Sequence, residues 1–188
     1  MIRSTLAIIP CLFLVALPCC APSRQSLDAA FAAERPPQDF VLSVTVMRPL
    51  ADTTARAAAY KQQPIATRPA RYVLEADQIL RVSIGSAVSE ETFPPETRQL
   101  TREQVDAVWN TLRTSRLAAA EEKTLSGAPP RPENLSDKQT LYIISYAAAG
   151  DRRSFLITPP ATEPAADPTT ADARKLVEQL GQLAWMGE

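Results

Sequence analysis

Hydrophobic and polar residues alternate over several short stretches of this chain, and the alternation predicts β-strands. In the first stretch, 40–47, residues Phe40, Leu42, Val44 and Val46 share one face, with polar residues between them. The same alternation, or a dense run of β-branched and aromatic residues, predicts further strands at 71–75, 79–84, 141–146 and 154–157. Turns are expected at 76–78 and 149–151, so these four strands form two hairpins.

Two segments carry the spacing of an amphipathic helix. The first begins after Leu100, where Thr101 and Gln104 fit a capping box, and it is expected to run to about Arg116. Apolar residues recur on one of its faces: Val105, Val108, Trp109 and Leu112. The second helix is expected to be capped at Thr169 or Thr170. Its inner face would carry Leu176, Val177, Leu180, Leu183 and Ala184, with Trp185 near its end.

The order of these elements is one strand followed by two hairpin–helix units. This order predicts an α+β domain over residues 40–188, with an antiparallel sheet of about five strands and two helices packed on one face. Trp109 and Trp185 are expected to anchor the helices to the sheet.

The N-terminal segment has the pattern of a signal peptide. One basic residue, Arg3, precedes an apolar run of twelve residues from Leu6 to Leu17, interrupted only by Pro10. A helix needs about twenty residues to cross a hydrocarbon core, so this run is too short to span a membrane. Its length is typical of the apolar region of a secretory leader, and export of the chain is therefore expected.

The residues Leu17-Pro18-Cys19-Cys20 resemble the lipobox of bacterial lipoproteins. The resemblance implies cleavage before Cys20, which would carry the lipid and anchor the protein in a membrane of the cell envelope. Lipidation of Cys19 and cleavage by an ordinary signal peptidase remain alternatives. Ala21 follows Cys20, where inner-membrane lipoproteins often carry Asp, so the resemblance favours the outer membrane.

Residues 20–39 are rich in Ala, Pro and polar residues, and they are expected to form a flexible tether between the signal peptide (1–19) and the domain (40–188). A helical turn or two is possible at 28–35, ended by Pro36-Pro37. Fully extended, such a tether would reach roughly 60 Å.

Composition removes several classes of function. The chain has no His, and its three Cys are Cys11, Cys19 and Cys20, so the part after the leader lacks His-based catalysis, thiol chemistry and disulfides. No metal site, cofactor site or catalytic group is predicted. A net charge of −1 without a basic stripe argues against nucleic acid as a partner.

The charged pairs have ordinary explanations. Glu90-Glu91 and Glu121-Glu122 lie in predicted loops, where neighbouring carboxylates do not converge on one substrate. Arg152-Arg153 lies beside the second hairpin turn and could contact an anionic partner, although such a pair more often keeps a strand edge soluble.

These features predict a membrane-anchored, non-enzymatic lipoprotein that binds another envelope component through its sheet face or edge. The first alternative is a carrier of small ligands, with a pocket between the sheet and the helices lined by Trp109, Tyr142 or Trp185. The second is a hydrolase that uses carboxylates alone, which requires two carboxyl groups facing each other across a cleft.

Overall fold

The computed structural model describes residues 27–48, 63–85, 88, 90–91, 93–119, 135, 139–158 and 167–185. These residues form one antiparallel sheet and three α-helices, so the α+β class is confirmed. The strands are β1 (Val41–Met47), β2 (Ala70–Leu74), β3 (Ile79–Ile84), β4 (Glu96–Gln99), β5 (Leu141–Ala148) and β6 (Asp151–Ile157). The helices are α1 (Leu27–Ala32), α2 (Arg102–Thr114) and α3 (Pro168–Trp185).

The order of strands across the sheet is β4-β3-β2-β1-β5-β6. The first strand in sequence is thus a central one, with β2 on one side and β5 on the other. In register, Leu42 of β1 lies between Leu74 and Tyr146. Every neighbouring pair is antiparallel, which is compatible with the tight turns that join β2 to β3 and β5 to β6.

The two ends of the sheet differ. Both tight turns, 75–78 and 149–150, lie at one end, where β1, β3 and β6 begin and β2, β4 and β5 finish. We call this the hairpin end. At the other, open end, β1 finishes at Met47 and β6 finishes at Ile157.

The helices cover one face of the sheet. The residues of β1 that point to that face, Leu42, Val44 and Val46, are completely buried, because apolar side chains of all three helices pack on them in one core. Trp109 of α2 is fully buried in this core, as predicted for a residue that anchors a helix to the sheet. Trp185 of α3 is only partly buried and packs on the margin of the core.

Helix α3 approaches the sheet closely at Gly181. A Cβ atom built on Gly181 would lie 2.2 Å from Cγ2 of Ile65 and 3.3 Å from the Tyr72 hydroxyl. The missing side chain therefore lets α3 lie against the 3-10 turn Ile65–Thr67 and against β2.

The strands at the two hairpins were predicted within a few residues, but the count of about five strands is too low. Strand β4 lies between the predicted strand at 79–84 and the predicted helix, in a stretch where the sequence predicts no strand. Its side chains, Glu96, Thr97, Arg98 and Gln99, are all partly or largely exposed, so they carry no apolar alternation. A short edge strand needs only backbone pairing, here with β3, and such pairing leaves no mark in hydrophobic pattern.

The predicted start of α2 is confirmed. The Thr101 hydroxyl accepts a hydrogen bond from the Gln104 amide at 3.3 Å, and the Gln104 side chain accepts one from the Thr101 amide at 2.9 Å. The predicted cap of α3 is wrong. The Asp167 carboxylate accepts from the Thr170 amide at 3.3 Å, and the helix begins with Pro168. Asp is a strong N-cap, and proline suits the first helical position because its missing N–H needs no partner there.

The structure corrects the extent of the predicted tether. Residues 27–39 are part of the folded domain: Leu27 and Ala30 of α1 are buried in the core, and Phe31 packs against it. Helix α1 overlaps the stretch 28–35, for which the sequence allows a helical turn or two, and begins one residue earlier. The short helix is held by tertiary packing, since six residues are too few to be stable alone.

Candidate functional site

The predicted lipid attachment site lies outside the described residues, and so do Cys19, Cys11 and the pair Glu121-Glu122. The other residues singled out by the sequence are described: Glu90, Glu91, Arg152 and Arg153. In each of these two pairs, one side chain contacts the rest of the domain (Glu90 and Arg153) and the other is exposed (Glu91 and Arg152).

The described chain begins at the hairpin end, beside β6. The Leu27 amide donates a hydrogen bond to the Asp151 carboxylate at 3.3 Å, and Arg153 forms a salt bridge with Asp28 at 3.0 Å. Arg153 also donates to the carbonyl of Ala118 at 2.6 Å. Arg153 of β6 thus contacts both α1 and the chain that follows α2. These contacts favour a structural role for Arg153 over binding of an anionic partner.

Asp39 of the N-terminal segment is also hydrogen-bonded to the turn between β5 and β6. Ala149 and Gly150 both have positive φ, 55° and 80°, as a two-residue turn of this hairpin requires. Their amides donate to the two oxygens of the Asp39 carboxylate at 2.8 and 2.7 Å. These charge-assisted bonds help to hold Ala149 in a conformation that usually favours glycine or asparagine.

Aromatic packing fastens α1 to the rest of the domain. The Phe31 ring stacks on Trp109 at 5.0 Å and meets Tyr146 edge-on at 5.6 Å, while Phe40 meets Trp109 edge-on at 5.0 Å. The Trp109 indole N–H donates to the carbonyl of Ala33 at 3.1 Å. Trp109 is therefore a packing residue of the core with a satisfied donor.

A groove of about 190 Å³ opens at the hairpin end, on the side of the β2–β3 turn. It is built by three segments that are distant in sequence: the chain before β1, the β2–β3 turn and the first two turns of α2. The residues that line it are Pro36, Pro37, Gln38, Phe40, Glu75, Ala76, Gln78, Arg102, Val105 and Asp106. Hydrophobic patterning misses such a groove because no single segment contains it.

The charged groups of the groove are two carboxylates, Glu75 and Asp106, and one guanidinium, Arg102. The Glu75 carboxylate is occupied by Arg81, with 2.7 Å between Oε2 and Nε. Oδ1 of Asp106 is buried, and no hydrogen-bond donor of the described residues reaches it. Such an acceptor is costly to bury without a donor. Because this oxygen is buried, the groove offers a ligand the negative charge of the Asp106 side chain and not Oδ1 as a direct hydrogen-bond acceptor.

The face of the sheet away from the helices is a mixture of polar and apolar side chains. Ser43, Ser145 and Ser154 stand side by side across β1, β5 and β6, and the hydroxyls of the last two are 2.8 Å apart. The buried Thr45 hydroxyl donates to the Glu90 carboxylate. Glu90 is therefore held by the sheet, whereas Glu91 is exposed.

The two edges of the sheet are unequal. Strand β4 has four residues, and its pairing with β3 shifts register beside Leu80 and Arg81. Strand β6 has seven residues in regular register with β5, and no described strand lies beyond it. A regular edge of this length presents unpaired backbone groups on which another strand can form.

Comparison with known proteins gave no match: no family model, no curated protein and no solved structure matches this chain. Among the described residues, no helix is both long enough and apolar enough to cross a membrane. The described residues also contain no cluster of three or more potential metal ligands from Cys, Asp and Glu.

Proposed function

We propose that this chain is an exported lipoprotein, anchored in a membrane of the cell envelope through Cys20, whose domain is a non-enzymatic binding module. The observation that carries the proposal is the apolar run from Leu6 to Leu17 followed by Leu17-Pro18-Cys19-Cys20. The lipid on Cys20 would supply two or more acyl chains, which are enough to hold a protein stably on a bilayer.

The test compares Cys20→Ser with Cys19→Ser in cells fed a labelled fatty acid. We expect Cys20→Ser to abolish labelling and to release the protein from membranes. Cys19→Ser should keep both, because a small residue before the modified cysteine suits the lipobox pattern. The reverse result would move the lipid to Cys19, and labelling of neither parent nor variants would overturn the proposal.

We place the binding surface at the outer edge of β6. The support is the length and regularity of this edge compared with β4, together with the exposed side chain of Arg152. A photo-crosslinking residue placed at Arg152 should capture an envelope partner in intact cells. The same residue at exposed Glu96 of β4 is the control, and equal capture from both positions would contradict a specific β6 surface.

The groove favours a second candidate, a carrier of small ligands. The groove is not formed as the sequence suggested, because Trp109, Tyr142 and Trp185 are absent from its lining. The negative charge of Asp106 in its lining supports small amines as the ligand class. Thermal stabilisation by such amines should be lost in Asp106→Asn and kept in Glu103→Gln, which removes a charge from the same helix outside the groove.

A further inference from the structure

The length of chain between the proposed anchor and the folded domain is short. From Cys20 to Leu27 there are seven Cα–Cα steps, which span at most about 25 Å when fully extended. A tether that reached residue 39 would have allowed more than twice this distance. The domain is therefore held close to whatever surface carries the lipid.

The exit point of the chain is also fixed. Leu27 is buried with 3% exposure, and the Leu27 amide bonds to Asp151, the first residue of β6. Asp28 forms a salt bridge with Arg153, which belongs to β6 like Asp151, and Phe31 is stacked on Trp109. These contacts prevent α1 from swinging out as an extra length of tether.

Resting on the proposed lipidation of Cys20, we infer that the hairpin end of the domain faces the lipid surface that holds the protein, on the side of β6. The open end then points away from that surface. The partner of the hairpin end is the headgroup layer of the anchoring membrane, and the edge of β6 starts beside it.

The attachment geometry, and not surface charge, sets this orientation. The charged residues around the start of α1 show no excess of positive charge: Asp28 pairs with Arg153, and Asp151 is followed by Arg152. Asp39, bound to the neighbouring turn, adds one negative charge. A bilayer attracts a basic patch but has no such hold on a set without excess positive charge. The orientation should therefore persist when salt is raised, in contrast to an electrostatic contact.

Energy transfer to labelled lipid tests the orientation. The chain after Cys20 contains no cysteine, so a single introduced cysteine gives one donor site on the mature protein. Arg152→Cys places the donor at the hairpin end, and Ile84→Cys, which replaces a 40% exposed side chain, places it at the open end. The lipidated variants are reconstituted in vesicles of phosphatidylethanolamine and phosphatidylglycerol with a headgroup acceptor.

We expect roughly twofold more transfer from position 152 than from position 84, because five strand steps separate them by roughly 15 to 20 Å. Insertion of about twenty Gly and Ser residues before Leu27 should erase the difference. Equal transfer at the native length, or more transfer from position 84, would overturn the inference.

The result also separates this inference from the proposal beneath it. Protein that does not float with the vesicles has no lipid anchor, and then both fall together. Protein that floats but shows equal transfer keeps its lipidation and loses only the orientation. Matching circular dichroism and thermal midpoints of the two variants with those of the parent show that the donor sites have not altered the fold.

Discussion

Three buried tyrosines differ in what their hydroxyl groups meet. The Tyr142 hydroxyl donates to the carbonyl of Ala66 at 2.8 Å, and the Tyr146 hydroxyl donates to the carbonyl of Leu117 at 3.1 Å. The Tyr72 hydroxyl is buried, and no described group forms a hydrogen bond with it. Each hydroxyl lost its hydration on folding, but among the described residues only those of Tyr142 and Tyr146 gained a protein partner.

Replacing these tyrosines by phenylalanine should give results of different sign. Tyr72→Phe should leave the free energy of unfolding unchanged or raise it slightly, because it removes a buried donor without a partner. Tyr142→Phe should lower it by about 1 kcal/mol, since the Ala66 carbonyl loses its donor. Urea denaturation of the two variants beside the parent measures the contrast, and an equal loss in both would contradict it.

Sequence pattern predicts which tyrosines are buried but not how their hydroxyls are satisfied. Tyr142 and Tyr146 stand in a run of β-branched and aromatic residues, and the prediction of a strand there is confirmed. Their acceptors are 76 and 29 positions away: Ala66 lies in the 3-10 turn Ile65–Thr67, and Leu117 follows α2. Backbone carbonyls are present at every residue, so sequence alone does not identify the acceptor.

At the scale of elements, α1 shows how tertiary packing overrides local composition. The segment that contains it, 20–39, is rich in Ala, Pro and polar residues and includes Pro36-Pro37, a composition that is typical of a linker. Phe31 and Phe40 nevertheless hold the segment on the domain, because both of their rings pack against Trp109. Phe40 continues the alternation of β1, and Phe31 has one apolar partner a helical turn earlier, Leu27. A single pair on six residues is too weak a pattern to predict that α1 docks on the domain.

The contribution of α1 can be measured with two phenylalanines. Phe31→Ala removes a ring stacked on Trp109 and should lower the free energy of unfolding by about 2 kcal/mol. Phe93→Ala is the matched control: that ring is 61% exposed and contacts Arg81 at 5.0 Å, so its loss should cost less than about 1 kcal/mol. The tryptophan fluorescence should shift in the first variant only.

Losses of equal size in the two variants would show that α1 is not part of the cooperative unit. In that case the length of free chain behind Cys20 would increase, and the orientation inferred for the lipidated protein would lose its basis.

The remaining features differ in how far apart in the sequence the residues that form them lie. Strand β3, predicted at 79–84, and the capping box of α2 depend on neighbours a few residues apart, and both are confirmed. Strand β4 depends on a partner strand, and the groove depends on three separate segments. For the same reason, the sequence predicted two hairpins correctly but left the order of all six strands open.

At the scale of the whole molecule, the buried phenols predict instability in alkaline solution. Burial raises the pKa of Tyr72, Tyr142 and Tyr146 above the ordinary value near 10, with partial compensation by nearby arginines. As pH rises through about 10, the unfolded chain therefore releases these three protons before the folded chain does. The stability is fully present below this pH and falls above it.

Each of these phenols can lower the free energy of unfolding by at most about 1.4 kcal/mol per pH unit, and the three together by about 4 kcal/mol. These phenols should not make the urea midpoint depend on pH near pH 8, and the midpoint should fall steeply above about pH 10. Phenolate absorbance should rise together with unfolding, not before it. Tyr72→Phe should reduce the slope by about one third, and an unchanged slope would argue against a titrating Tyr72.

The position of β1 has a consequence for how the fold is completed. Leu42 pairs with Leu74, 32 positions later, and with Tyr146, 104 positions later, and Asp39 reaches Gly150 across 111 positions. Such distant pairings slow folding, because a long loop must close before its contacts form. In a chain that emerges N-terminal end first, β1 keeps one unpaired edge until β5 is available. That growing chain exposes an aggregation-prone strand for most of its synthesis. If the chain is exported as proposed, we expect this export to depend on factors that keep it unfolded until the last third has been made.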